Sequence, residues 1–398
     1  MGITLNDIPA GQTFEQFCDL IRSNLISDDS SAAPPTNRDI RCLFDLYDLD
    51  RDGVLSPRES KAANKDLIQK INDLRCALIV VDFQNDFVAG SLAIKHGPAR
   101  QDPIEALEPL NHLLRRHAHF RRIIYTLDWH PSNHISFYEH CRNSDRTLSK
   151  EDKIRKLKPF DTVKFDNPNF KQTLYPTHCV QGSWGAELCP DLIRAESAKY
   201  VQKGSQVFVD AYSGFVDNQG EYRSELEPIL REEKIEALFI CGLALDICVS
   251  ATARDAAKLK FLTAVILDCS KGLTHEQINE KCEELRALNV AMIDSTVVEE
   301  FLDSHKMPWR WVCQLAGIPF ESASAALNRS TQNGIHELNH NSTANGHASK
   351  PERTSMHNGE AHIAKGIREA NEVQDSNFVA SRDDGSISHK QADNGITV

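Results

Sequence analysis

Between residues 74 and 320 the chain alternates short, mostly apolar runs with longer stretches at helical spacing. The runs are CALIVVDF, RRIIYTLDW, KYVQKG, EALFICGL, FLTAVILDC and NVAMIDS; the stretches between them include PIEALEPLNHLLRRH and CVSATARDAAKL. A strand rich in Val, Ile and Leu at successive positions is apolar on both faces and needs cover on each side, which a parallel sheet wrapped by helices provides. The pattern therefore predicts an α/β fold of three layers, a parallel sheet with helices on both faces. Ligands of such sheets bind beyond the carboxyl ends of the strands, so the residues that close each run come first.

Those residues are chemically loaded. The first run ends at Asp82, the second at Asp128 followed by Trp129 and His130, the third at Lys203, and the fourth leads through Ala244 to Cys248 at the start of a helical stretch. Each has a plain explanation taken alone: a turn cap, a solvated amine, a core-filling thiol. Together they make a set of nucleophile, base and cation. A thiol becomes reactive at a helix N-terminus or beside a cation, Asp82 can accept its proton, and backbone amides near Ala244 and Cys248 are placed to form an oxyanion hole. DWHPSNH adds His130 and His134 beside Asp128, and YPTHCVQGSWGA adds His178. One carboxylate with two or three imidazoles suits zinc, with iron and manganese as alternatives, better than calcium.

The flanks differ in kind. Residues 1–73 read as a helical region, in which FEQFCDLIRSNLI carries apolar positions at helical spacing and DLDRDGVLSPRE (48–59) matches D-x-D-x-D-G-x5-E. Asp48, Asp50 and Asp52 offer carboxylates, Gly53 allows the turn, Val54 offers its carbonyl, and Glu59 can chelate with both oxygens, which is the oxygen ligand set of a calcium-binding hand. A second hand, the usual partner, is not evident; pairing with another copy or with the main region are the alternatives. Residues 321–398 are dominated by Asn, Ser, His, Gly and charge, a composition that predicts a disordered polar tail. The net charge of −12 argues against a nucleic-acid partner. No apolar run approaches the length of a membrane span, and the eleven cysteines show no framework spacing, so the expectation is a cytoplasmic protein with reduced thiols.

Six motifs in order, VDFQNDF (81–87), DWHPSNHISF (128–137), HCVQGSWGAE (178–187), KG at Lys203, DAYSGF (210–215) and GLALDICVSATARDA (242–256), resemble the nicotinamidases of the isochorismatase-like hydrolase family. The preceding hand and the polar tail resemble invertebrate animal nicotinamidases in particular. The resemblance implies a catalytic triad of Asp82, Lys203 and Cys248, an oxyanion hole at Ala244 and Cys248 with a cis peptide between Leu243 and Ala244, and metal ligands Asp128, His130 and His178, with His134 left open. It implies ring contacts from Phe87, Tyr175 and Tyr212, Tyr175 standing where a tryptophan is frequent. The implied reaction is hydrolysis of nicotinamide to nicotinate and ammonia through a cysteine thioester, in NAD salvage, by a chain that can assemble with its own copies. The competing readings are a related cysteine amidase acting on another small amide, and an inactive calcium-responsive binding protein. Residues 138–173 read as a surface loop, with a lid or an oligomer contact as alternatives.

Overall fold

The structure is a computed structural model that describes residues 5–27 and 33–320; the expected tail, 321–398, lies outside the described residues. In chain order, β1 (Gln12–Thr13) pairs antiparallel with β2 (Val54–Leu55), and β3 (Cys76–Val81) and β4 (Arg122–Asp128) open the main sheet. An antiparallel trio follows, β5 (Thr147–Leu148), β6 (Thr162–Asn167) and β7 (Asn169–Thr173). The main sheet resumes with β8 (Lys199–Lys203), β9 (Ala237–Leu243), β10 (Leu262–Lys271) and β11 (Ala291–Ile293). Its order is β11-β10-β9-β3-β4-β8, and every neighbouring pair is parallel. All six runs read from the sequence are strands of this sheet.

The period-two geometry of a strand sends alternate side chains to opposite faces. In β3, Leu78 and Val80 enter one core while Ala77, Ile79 and Val81 enter the other; in β9, Phe239 and Cys241 enter the first while Leu238 and Ile240 enter the second. The first face is covered by helices Ile104–Arg115, Ser295–Ser304 and Trp309–Ala316, through Leu110, Leu114, Phe301 and Trp311. The second is covered by Leu226–Glu232, Ser250–Lys258 and His275–Ala287, through Leu230, Ala256 and Leu285. Each such side chain contributes about 1.5–3 kcal/mol when it leaves water, which is why a strand apolar on both faces holds the centre of the sheet.

Helices Phe14–Asn24 and Asn37–Asp45 join the first core through Phe17, Ile21, Ile40, Leu43 and Phe44, all buried. The N-terminal helices thus have no separate core of their own among the described residues. The 138–173 segment differs from the expected surface loop: β5, β6 and β7 enclose a small core of Ile135, Cys141, Leu148, Leu157, Val163, Phe165 and Leu174. The alternating apolar residues of TVKFDN are its signature, and the intervening Lys164 and the flanking polar residues obscure it in a sequence reading.

Candidate active site

Asp82 follows β3, Asp128 and Lys203 end the adjacent strands β4 and β8, and Cys248 lies in the helical turn after β9. The carboxyl edge therefore gathers all four. Val81 and Gly242 are register partners on β3 and β9. Gly242 has φ +118°, and a Cβ there would run into the Val81 backbone, so glycine lets the strands that precede Asp82 and Cys248 approach closely. Asp82 itself sits at φ +46°, a left-handed conformation that aspartate tolerates better than most residues.

Lys203 is the hub. Its Nζ donates to Asp128 Oδ1 at 2.5 Å and to the Ala211 carbonyl at 2.8 Å, lies 2.8 Å from Asp82 Oδ2, and reaches Cys248 Sγ at 3.4 Å. Asp82 also accepts from Thr126 Oγ1 at 2.6 Å. Carboxylate oxygens of Asp82 and Asp128 and the sulfur of Cys248 lie within 4.8 Å of one another. Burial, above all, pushes the Asp82 carboxyl up to about 6, against the lowering effect of Lys203. Burial would also raise Asp128, but Lys203 and then His130 hold it well below the usual carboxylate range. The Cys248 thiol is raised by burial in spite of Lys203, so it rests protonated beside a carboxylate able to take its proton. The cation alone does not activate it.

The second cluster adjoins the first. His130 Nδ1 is 2.8 Å from the Gly204 carbonyl and His178 Nδ1 is 2.8 Å from the Pro176 carbonyl. A carbonyl can only accept, so both Nδ1 atoms carry a proton and both Nε2 atoms turn toward Asp128, at 3.5 and 3.8 Å from Oδ2. Burial would lower His130, but Asp128 raises it above the ordinary imidazole value. Burial and then His130 lower His178 to about 4, which keeps that imidazole neutral. Two imidazole nitrogens and one carboxylate oxygen converging on one point are the donors a divalent transition metal takes, displacing any proton on His130 as it binds. His134 stacks on His130 with ring centroids 4.2 Å apart, but its nitrogens are engaged by Ser136 Oγ at 2.7 Å and the Val209 carbonyl at 3.1 Å. It packs against the His130 ring.

A cleft of about 400 Å³ opens over both clusters. Asp128, His178, Ala244 and Cys248 border it, and Phe87, Tyr175 and Tyr212 line it together with Leu92, Ile94 and Leu273. The Tyr175 and Tyr212 hydroxyls lie 3.2 Å apart. The Leu243–Ala244 peptide is cis. An aromatic-lined cleft with a thiol at one end and a metal-type donor set at the other can hold a small planar ring and present its substituent to sulfur.

Sequence reading missed several supports. Gln84 clamps the end of β4: Oε1 accepts the Asp128 N–H and Nε2 donates to the Asp128 carbonyl, each at 2.8 Å. Asp86 accepts the Cys179 N–H at 2.7 Å and so fixes the turn that carries His178. Asp210, buried at the cleft, accepts from Gln172 of β7 at 3.0 Å, tying the inserted sheet to the site. Gln84 and Asp86 lie inside a quoted motif, and Thr126 is the one aliphatic hydroxyl in RRIIYTLDW; a polar residue in a buried run is a readable signal.

In the loop 48–59 the structure brings together carboxylate oxygens of Asp48, Asp50 and Glu59 within 4.8 Å. Asp52 is not among them; its Oδ1 accepts the Val54 N–H at 2.8 Å, and Val54 pairs with Thr13. The partner strand of the loop is therefore β1 of the same chain.

A covered parallel sheet with a thiol, an amine and a carboxylate at its carboxyl edge defines a three-layer α/β protein of the kind built for covalent chemistry on small molecules. The Isochorismatase domain model matches residues 76–297. The chain belongs to the isochorismatase family. The nicotinamidase of Saccharomyces cerevisiae is 32% identical over 54% of this chain and 98% of its own length; that of Acinetobacter baylyi is 36% identical over 55% and 92%. The nicotinamidase of Escherichia coli is 34% identical over 50% of this chain and 83% of its own length. No helix among the described residues is long and apolar enough to cross a membrane.

Proposed function

We propose that the chain hydrolyses nicotinamide to nicotinate and ammonia. The observation that carries this is Lys203 Nζ in reach of Asp82, Asp128 and Cys248 at once, at the end of an aromatic-lined cleft. The names of the relatives supply the substrate. Asp82 takes the thiol proton as Cys248 sulfur attacks the carboxamide carbon, and backbone amides near Ala244 and Cys248 receive the developing oxyanion. Collapse expels ammonia with the proton returned from Asp82, leaving a nicotinoyl thioester. Water, deprotonated by Asp82, releases nicotinate and restores the thiol. Lys203 keeps the carboxylates paired throughout and holds Asp82 beside the sulfur.

Asp128, His130 and His178 fit one divalent ion, zinc before iron or manganese, and such an ion supplies a Lewis-acid anchor for the pyridine nitrogen. Phe87, Tyr175 and Tyr212 flank the ring. In the same reading the loop 48–59 holds calcium through Asp48, Asp50, Asp52, the Val54 carbonyl and Glu59. Support comes from Asp48, 5% exposed, whose Oδ1 has no hydrogen-bond partner: a buried carboxylate oxygen so placed asks for a cation. The likeness to invertebrate animal nicotinamidases rests on this hand together with the polar composition of 321–398; a place in NAD salvage follows from the substrate, and a cytoplasmic one from the eleven cysteines without framework spacing.

The test is ammonia release from nicotinamide by the metal-loaded protein beside Cys248→Ala. Turnover by the parent and none by the variant is expected. A folded, metal-loaded parent that is inactive on nicotinamide but active on another small amide would replace the substrate; inactivity on both would overturn the reading.

A further inference from the structure

A calcium sensor works by opening: the ion changes the angle between two helices and uncovers an apolar groove. That requires an apolar face that can be released. The helices flanking the loop 48–59 have no such face to release. Ile40, Leu43 and Phe44 before the loop, Leu55 within it, and Leu67 and Ile71 after it are fully buried and belong to the core that continues through Trp311 and Phe239 into the main sheet. Phe44 is locked edge-on between Phe14 and Phe17, with ring centroids 5.6 and 5.4 Å away.

The place of a second hand is filled by the chain's own N-terminal segment. β1 pairs with β2, and the Gly11 N–H donates to the Leu55 carbonyl at 2.8 Å. Upstream, the segment is fastened to the run 57–72 by side chains that grip its backbone. Asn64 accepts the Ile8 N–H at 2.6 Å and donates to the Ile8 carbonyl at 3.0 Å; Asn72 does the same to Leu5 at 2.7 and 3.3 Å. Ser60 Oγ donates to the Pro9 carbonyl at 3.1 Å. Glu59, the last loop ligand, directly precedes Ser60 on that run, so the ion, the helix and the strap form one mechanical unit. Glu59 already reaches back across the loop, accepting the Leu49 N–H at 2.7 Å and the Ser56 N–H at 2.9 Å.

We propose that the loop 48–59, closed in cis by residues 5–13, is a fixed calcium clamp that fastens the N-terminal segment over the sheet, and does not act as an opening switch on the cleft. This rests on the calcium reading above and assigns its consequence. Binding only to the folded state raises stability by mass action; the apolar face stays covered, and the catalytic clusters at the strand ends are unchanged.

The experiment uses the full chain with its transition metal in place. Calcium is titrated by calorimetry, and the thermal midpoint, apolar-dye fluorescence and kcat/KM for nicotinamide are read with calcium and with a calcium-selective chelator. Binding heat, a thermal midpoint raised by several degrees, unchanged dye fluorescence and kcat/KM within twofold are expected. Asn64→Ala, which touches no ligand, should lower calcium affinity several-fold by loosening the strap, and Asp50→Asn, at an exposed ligand, should remove the calcium-dependent shift in a protein that still folds. Binding accompanied by a rise in dye fluorescence, or by a fivefold or larger change in kcat/KM, would overturn the clamp while leaving the calcium site standing. Absence of binding heat and of any midpoint shift would remove the site, and the clamp with it.

Discussion

Lys203→Met is the substitution whose cost the structure specifies best. The ammonium is buried; it donates to Asp128, to the Ala211 carbonyl and to the sulfur of Cys248, and Asp82 Oδ2 lies 2.8 Å away as an ion-pair partner. Methionine fills most of the volume and removes the charge, leaving two buried carboxylates facing each other. Breaking a buried ion pair from one side costs about 3–5 kcal/mol, a large part of the roughly 5–15 kcal/mol that holds a domain together. Protonation relieves some of it. Asp82 already stands at about 6 with Lys203 present; without the cation, burial and Asp128 push it further up, so the variant takes up a proton on Asp82 at neutral pH, at about 1.4 kcal/mol for each unit that its pKa exceeds the ordinary value. We expect a loss near 3 kcal/mol at pH 7.5, measured by urea unfolding at fixed metal concentration. A carboxyl whose folded pKa is raised destabilises when ionised, so stability returns as pH falls through that pKa, and the deficit should shrink by pH 5.5. Asp82→Asn combined with Lys203→Met should recover at least about 1 kcal/mol without restoring turnover. A deficit below about 1 kcal/mol at pH 7.5, or one that grows on acidification, would refute the view that Lys203 neutralises this cluster.

Three further outcomes follow from the same geometry. The acid limb of kcat/KM should fall near pH 6, because the base form of Asp82 is lost as pH drops through its raised value; a limb near pH 4 would place the base elsewhere. Gly204→Ala puts a Cβ 2.5 Å from His130 Cε1 at φ +65°, so metal analysis should show affinity for the transition metal lowered about 10- to 100-fold with the fold retained. Tyr175→Ala should raise KM for nicotinamide more than it lowers kcat, since the ring lines the cleft and its hydroxyl is engaged by Tyr212; equal loss in both would give Tyr175 a part in the transition state.

The parallel sheet was legible because strands covered on both faces leave an unmistakable apolar run, and the four reactive side chains were legible because parallel strands end on one edge. Phe87, Tyr175 and Tyr212 could be placed only through family resemblance; nothing in their spacing brings residues 87, 175 and 212 together. What the sequence hid were long-range polar contacts. Gln84 grips the backbone of Asp128, Gln172 reaches Asp210, and Asn64 and Asn72 strap the N-terminal segment, each across distances that no local pattern encodes. The inserted sheet was hidden for a different reason: its strands alternate apolar with lysine and aspartate, so total hydropathy reads as loop while the period-two pattern is strand. The thiol was read with a helix N-terminus, a neighbouring cation and Asp82 as its means of activation; its burial, which no local pattern encodes, outweighs the cation and raises it.

The order of the sheet also governs how the molecule must be made. β3 lies between β4 and β9, so on a ribosome its first neighbour emerges soon and its second only after residue 237 has been synthesised. Through that interval one edge of CALIVV stands open, an invitation to pair with a neighbouring nascent chain. Slow translation before β9, or a shortage of chaperones that shield unpaired strands, should therefore reduce yield in a way that no measurement on the finished protein would foresee.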